Sequence, residues 1–180
     1  MCKMDADGQI RWYVMRAYKA EKKAEETLAA EGMEHYVPKT YALRVYHGVK
    51  SRHLVPALPS LVFVHASHDD IVDFKRRHNF LQFITGKRGV KSEPMVVPDR
   101  QMTDFIKVSS QYEADTVYLK PEEVDLTKGT KVRILGGPFD GVEGLFLRVK
   151  GKRDKRLVVW VERVIATAVD ISPDLIQVIE

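Results

Sequence analysis

The sequence predicts an α+β protein built in two parts, an α/β sandwich followed by a small closed β-barrel. Over residues 9–112, aromatic and β-branched strand segments alternate with segments of helical period, the pattern of one mixed layered domain. From Thr130 onward every apolar segment is short, strand-like and bounded by turns, which implies a barrel of some 55 residues. Between them, residues 113–125 hold one Lys against five Asp or Glu and lack clear periodicity, so they read as an acidic linker. The flanking parts are basic, with 18 Lys/Arg against 13 Asp/Glu in residues 1–112 and 10 against 7 in residues 126–180.

In chain order, "IRWYVMR" (10–16) is a strand, aromatic and β-branched at its centre. "AYKAEKKAEETLAAEG" is a helix with Ala17, Ala20, Ala24 and Leu28 on one face, stopped by Gly32. "HYVP" is a short strand, and "YALRVYHG" with "SRHLVPAL" a hairpin whose tip, Arg44 to His53, is basic. "SLVFVHA" is almost continuously apolar, as a central strand would be. "SHDDIVDFKRRH" opens with Ser67 as N-cap and Asp70 three residues on, and turns Ile71, Phe74 and His78 inward. "FLQFI" is a strand, "GKRGVKSEP" a basic loop, and "VPDRQMTDFIKVSSQY" a helix burying Met102, Phe105 and Ile106. The barrel strands are "TKVRIL", "VEGLFLRV", "RLVVWVE", "ATAVDI" and "LIQVI".

The chain has 180 residues, 44% of them hydrophobic and 30% charged, the composition of an ordinary globular protein rather than a disordered one. Its net charge of +4 is too mild to establish nucleic-acid binding by itself. Cys2 is the only cysteine, so no internal disulfide can form and a reducing compartment suits the chain. "MCKMDADGQIR" is charged from its third residue and no apolar run approaches a membrane span. A soluble, cytoplasmic, monomeric protein without membrane partners is expected.

No catalytic signature stands out. His65 and His68 lie three apart near Asp69, Asp70 and Asp73, the residue types of a metal-dependent nuclease. However, Ser67 and Asp70 already serve as a helix cap, and acids in a first helical turn are ordinary. No HExxH, P-loop or nucleophile elbow is present. We therefore expect no enzyme, no cofactor and no bound metal.

The loop "LGGPFDGVEG" (135–144) is longer than a hairpin needs. Gly136, Gly137, Gly141 and Gly144 offer positive φ or close backbone approach, and Pro138 fixes the turn. Phe139 either seals the barrel end or touches a partner. In "LVVWV", alternation lets Val159 and Val161 face the barrel while Val158 and Trp160 face outward, a docking surface unless Trp160 packs under the linker.

"KGTKVRILGGPFDGVEGLFLRV" resembles a KOW motif, and what precedes it is similar to the NusG N-terminal (NGN) domain. The matching stretches are "WYVMRAYKAEKKAEETL", Val37–Pro38, "LPSLVFV", "FLQFITG" and the helix after "VPD", so that the resemblance runs from Trp12 to Ile179. It implies a ferredoxin-like NGN domain over 9–112, a linker over 113–125 and an SH3-like KOW barrel over 126–180. It further implies a transcription elongation or antitermination factor. The NGN domain would dock on the clamp helices of RNA polymerase, and the KOW domain would reach a termination factor or a small-subunit ribosomal protein. By position, Trp12, Leu58, Pro59, Leu61 and Phe63 would form or support the polymerase-facing apolar patch.

One departure stands out: the family's usual Pro-Gly-Tyr is here Pro59-Ser60-Leu61. That resembles a specialised paralogue, closest to the UpxY-type antiterminators of surface-polysaccharide operons. In specialised relatives the helix ending in "FKRRH" faces non-template DNA. Lys75, Arg76, Arg77 and His78 are therefore candidates for non-template DNA or leader RNA, against the plainer reading of a solvated helix end favoured by its dipole. Arg44, Lys50 and Arg52, and Lys87, Arg88 and Lys91, are weaker candidates of the same kind. The alternative function is a KOW-bearing RNA-binding or ribosome-associated protein. Because the C-terminal part is rich in Val and Ile, a barrel is expected there rather than the helical hairpin some relatives adopt.

Overall fold

A computed structural model describes residues 8–88, 91–112 and 114–179, with backbone alone at Arg88 and Lys91. Cys2 lies outside the described residues. The chain divides into two compact units, residues 1–99 and 100–180.

In the first unit, β1 (Arg11–Ala17), β2 (Glu34–Tyr36), β5 (Leu61–Ala66), β6 (Leu81–Phe83) and β9 (Val96–Val97) form one antiparallel sheet in the order β2-β5-β1-β6, with β9 also on β1. Alternation sorts its residues by face. Tyr13, Met15 and Ala17 of β1 share a face with Val62, Val64 and Ala66 of β5. Onto this face pack Ala24 and Leu28 of α1 (Glu21–Ala30) and Ile71 and Phe74 of α2 (His68–Arg77), completing one apolar cluster. Full burial of Leu28 and Phe74 is worth about 1.5–3 kcal/mol each. The Ser67 hydroxyl accepts from the Asp70 amide and starts α2 as its sequence implies.

The other face carries Trp12, Val14, Leu61, Phe63 and Val97, all buried. This face too is withdrawn from water. Two hairpins lie outside the sheet. One is β3 (Lys39–Tyr46) with β4 (Val49–Pro56); the other, β7 (Thr85–Arg88) with β8 (Lys91–Pro94), occupies the stretch expected as a loop.

The second unit takes in α3 (Asp99–Ser109) from its second residue onward. Met102, Phe105 and Val108 are buried as one helical face, with Val108 in place of the half-exposed Ile106. The strands β10 (Val117–Leu119), β11 (Thr130–Ile134), β12 (Glu143–Arg148), β13 (Lys155–Val161), β14 (Ile165–Val169) and β15 (Ile176–Val178) make a single sheet ordered β10-β14-β13-β12-β11-β15. Five of the six are the strands expected of the barrel. The sixth, β10, comes from the segment read as a linker: Val117, Tyr118 and Leu119 pair with Ala168, Thr167 and Ala166. The protein thus has an α+β fold, a helix-covered antiparallel sheet followed by a unit built mainly of antiparallel strands.

Candidate interaction surfaces

Among the residues aligned with a polymerase-facing patch, the structure separates surface from support. Trp12, Leu61 and Phe63 are buried, so they correct any reading of them as open contacts. Their face of the sheet is packed, and Trp12 stacks on His65 with ring centroids 4.7 Å apart. Pro59 is exposed and Leu58 half-buried, both on the turn entering β5. That turn is firmly pinned: the Ala17 amide donates to the Ser60 carbonyl at 2.8 Å, and the Ser60 amide donates to the Glu21 carboxylate. Ser60 itself has φ of 66°, a conformation that glycine adopts freely and serine does not.

The cations at the end of α2 all meet neighbours in the chain. Lys75 lies over the Phe83 ring at 4.5 Å, and Arg76 pairs with Asp73 at 2.7 Å. Arg77 and His78 both reach Glu31, each at 2.7 Å, which ties the end of α2 to the end of α1. Chiefly through the His78 hydrogen bond, the Glu31 carboxyl is held below its ordinary range. His65 and His68 do not converge. His65 sits by Trp12 and Glu34, whereas His68 stacks on Phe83 beside Tyr13, which points to the opposite face of β1.

Sequence reasoning marked the β3–β4 tip as basic but missed how open the arm is. Leu43, Val45, Tyr46 and Val49 are each at least 65% exposed. His47 and Gly48, with φ of 46° and 79°, close the arm in a two-residue turn, whose positive φ values match the strand twist. Arg44, Lys50 and Arg52 lie along it, and Arg52 covers the Tyr41 ring at 4.1 Å. Residues 39–56 contain no Asp or Glu. The signal was the hairpin's length combined with apolar residues on both faces of both strands.

In the second unit the loop 135–144 is architectural. Gly136, Gly137 and Gly141 have φ of 89°, 70° and 78°, and Pro138 opens a short 3₁₀ turn. The Asp140 carboxylate accepts from the Gly136 amide at 2.6 Å. A Cβ on Gly144 would lie 2.6 Å from the Val158 carbonyl oxygen, so only glycine lets β12 and β13 approach there. Phe139 is buried and seals the fold.

Val158 and Trp160 share a face of the sheet with Leu145 and Ala166, as register shows, but they are not open. Val158 is fully buried and Trp160 half-buried, which corrects the expectation of an exposed pair. Their face forms a cluster with Leu119, Leu145 and Leu147, onto which Val117, Val124, Leu126 and Trp160 pack. The acidic segment is what covers it. Among the described residues no helix is long and apolar enough to cross a membrane.

Residues 10–106, more than half of the chain, match the family described as transcription termination factor nusG. No curated protein matches the chain. A solved structure of Thermotoga maritima NusG, described by its domain interaction, is similar at 22% identity and a TM-score of 0.47 over 96% of this chain and 98% of that one. The chain belongs to the NusG family and is a NusG-type transcription elongation and antitermination factor.

Proposed function

We propose that this chain docks its N-terminal unit on the clamp helices of RNA polymerase and suppresses pausing or termination at particular, surface-polysaccharide operons. One observation carries the docking part: a turn with Pro59 exposed and Leu58 half-buried is pinned through Ser60 to β1 and α1, at the position where the family resemblance implies polymerase contact. A pre-formed apolar turn loses little conformational entropy on binding. Trp12, Leu61 and Phe63 act as its buried support. Pro59-Ser60-Leu61 in place of Pro-Gly-Tyr supports the specialised role. Nothing in this mechanism requires catalysis or a cofactor; the factor works by holding the polymerase clamp.

Lys75, Arg76, Arg77 and His78 would contact non-template DNA or leader RNA. Surface ion pairs are worth about 0–1 kcal/mol, so their present partners can be exchanged for phosphates. The KOW barrel would recruit a second protein, a termination factor or a ribosomal protein, through the face bearing Val158 and Trp160. The RNA-binding alternative draws on the basic β3–β4 arm, where aromatic and cationic side chains interleave.

The test is retention of purified RNA polymerase by the full chain, wild type against Leu58→Glu. Leu61 is left intact because its burial would confound folding with contact. Retention by wild type and its loss in the variant support docking through this turn. No retention by folded wild type transfers the weight to RNA binding, which Arg44→Ala/Lys50→Ala/Arg52→Ala should then abolish.

A further inference from the structure

We propose that residues 115–126 form a releasable strap, an internal ligand occupying a site on the C-terminal barrel for an extended, acid-containing segment of a partner protein. The inference rests on the reading of the barrel as a partner-docking module and names what that module accepts.

Without β10, β14 would be the edge of its sheet. A free edge strand offers unpaired backbone groups to any extended peptide. Here three residue pairs fill it. Beyond β10 the strap lays Val124 and Leu126 on the apolar cluster of Leu145 and Val158 and returns through Gly129, where a Cβ would lie 2.7 Å from Leu145 Cβ. The occupied site therefore reads two things: a strand along β14 and apolar side chains at alternate positions, Val117 and Leu119.

A third element is charge. The Asp115 side chain is 62% exposed, yet it pairs with Arg156, whose side chain is only 9% exposed, and with Lys152 at 3.1 Å. Arg156 also donates to the Asp115 carbonyl at 2.6 Å. A buried guanidinium needs a carboxylate, so any replacement for the strap must bring one. The ligand pattern is thus Asp or Glu, any residue, apolar, any residue, apolar, as in "DTVYL".

The seam also shows why the strap can leave. Among the described residues, the two buried side-chain oxygens without a hydrogen-bond partner are those of Thr116 and Thr167, at the strap's entry and directly opposite Tyr118. Buried hydroxyls left unpaired weaken the join. Residues 113–125 hold five acids against one Lys while residues 126–180 are net basic, so salt weakens it further.

The experiment uses the full chain and amide hydrogen exchange. Asp115→Asn should accelerate exchange in β10 and at its partners in β14 by about tenfold or more, leaving β11 and β12 protected. A synthetic peptide of residues 114–121 should then bind Asp115→Asn more tightly than wild type. It should not bind a Leu119→Cys/Ala166→Cys chain locked by a disulfide in a Cys2→Ser background. Unchanged exchange overturns the strap. Faster exchange without peptide binding, or binding to the locked chain, overturns the docking edge. Both readouts are independent of polymerase retention, so the two readings fail separately.

Discussion

The β3–β4 arm and the strap at residues 115–126 are both peripheral, and both carry apolar residues at alternate positions, yet they meet opposite fates. The arm leaves Leu43, Val45, Tyr46 and Val49 in water and is basic throughout. The strap is acidic, and its Val117, Val124 and Leu126 pack on an apolar cluster. What separates them is a second layer. A two-stranded ribbon has no partner sheet to bury its faces, whereas the strap lies on strands already present. Unlike charge reinforces the second case, and no acidic residue lies in the first to do so.

The comparison breaks most readily by truncation. Leu145→Ala, beneath the strap, should cost about 2–5 kcal/mol in urea denaturation, while Leu43→Ala on the arm should stay within about 0.5 kcal/mol. Similar losses at both sites would mean the arm is covered in solution. A smaller effect concerns the pinned turn of the N-terminal unit. Ser60→Gly relieves positive φ and should raise stability by about 1 kcal/mol, visible as a higher Tm. A drop would show that the turn is held open by something other than its backbone.

Charge gives the next two tests, smaller and set by pH. Arg156, and then Lys152, hold the Asp115 carboxyl below its usual range. Its stabilising contribution is present above the unfolded carboxylate pKa of about 3.9 and is lost as pH falls through the lowered folded value. Acid should therefore speed exchange in β10 before β11. Asp104 behaves oppositely. Burial chiefly raises its carboxyl, with a smaller repulsion from the Glu143 charge, against the Glu143 backbone hydrogen bond and the pull of Arg100 and Lys107. Its ionisation costs stability that is fully retained below the unfolded pKa and lost as pH rises through the raised one. Asp104→Asn should therefore raise Tm at pH 7 and leave it nearly unchanged at pH 3.

Much of this was legible in the sequence. Ser67 capping α2, the five barrel strands and the glycine loop each follow from local chemistry that tertiary context did not overrule. Burial was harder to read. Alternation assigned Leu61 and Phe63 to one face of β5 but could not say whether that face was covered. Val158 and Trp160 were expected to face outward, whereas Val158 is buried and Trp160 half-buried; their cover was invisible because Val117, Leu119, Val124 and Leu126 follow no single period. A strand of three residues is specified by the edge it meets, here β14, more than by its own composition. The turn proposed to face polymerase was legible only through the family resemblance; Glu21, 39 positions away, pins it.

The β3–β4 arm has a mechanical consequence as well. Eight residues per strand at about 3.4 Å each make a cantilever of about 27 Å, clamped at its root by the bond from the Ala57 amide to the Pro38 carbonyl. A tilt of about 10° at that root sweeps the His47–Gly48 tip through about 5 Å. The tip can therefore follow a moving surface while the sheet beneath it stays still.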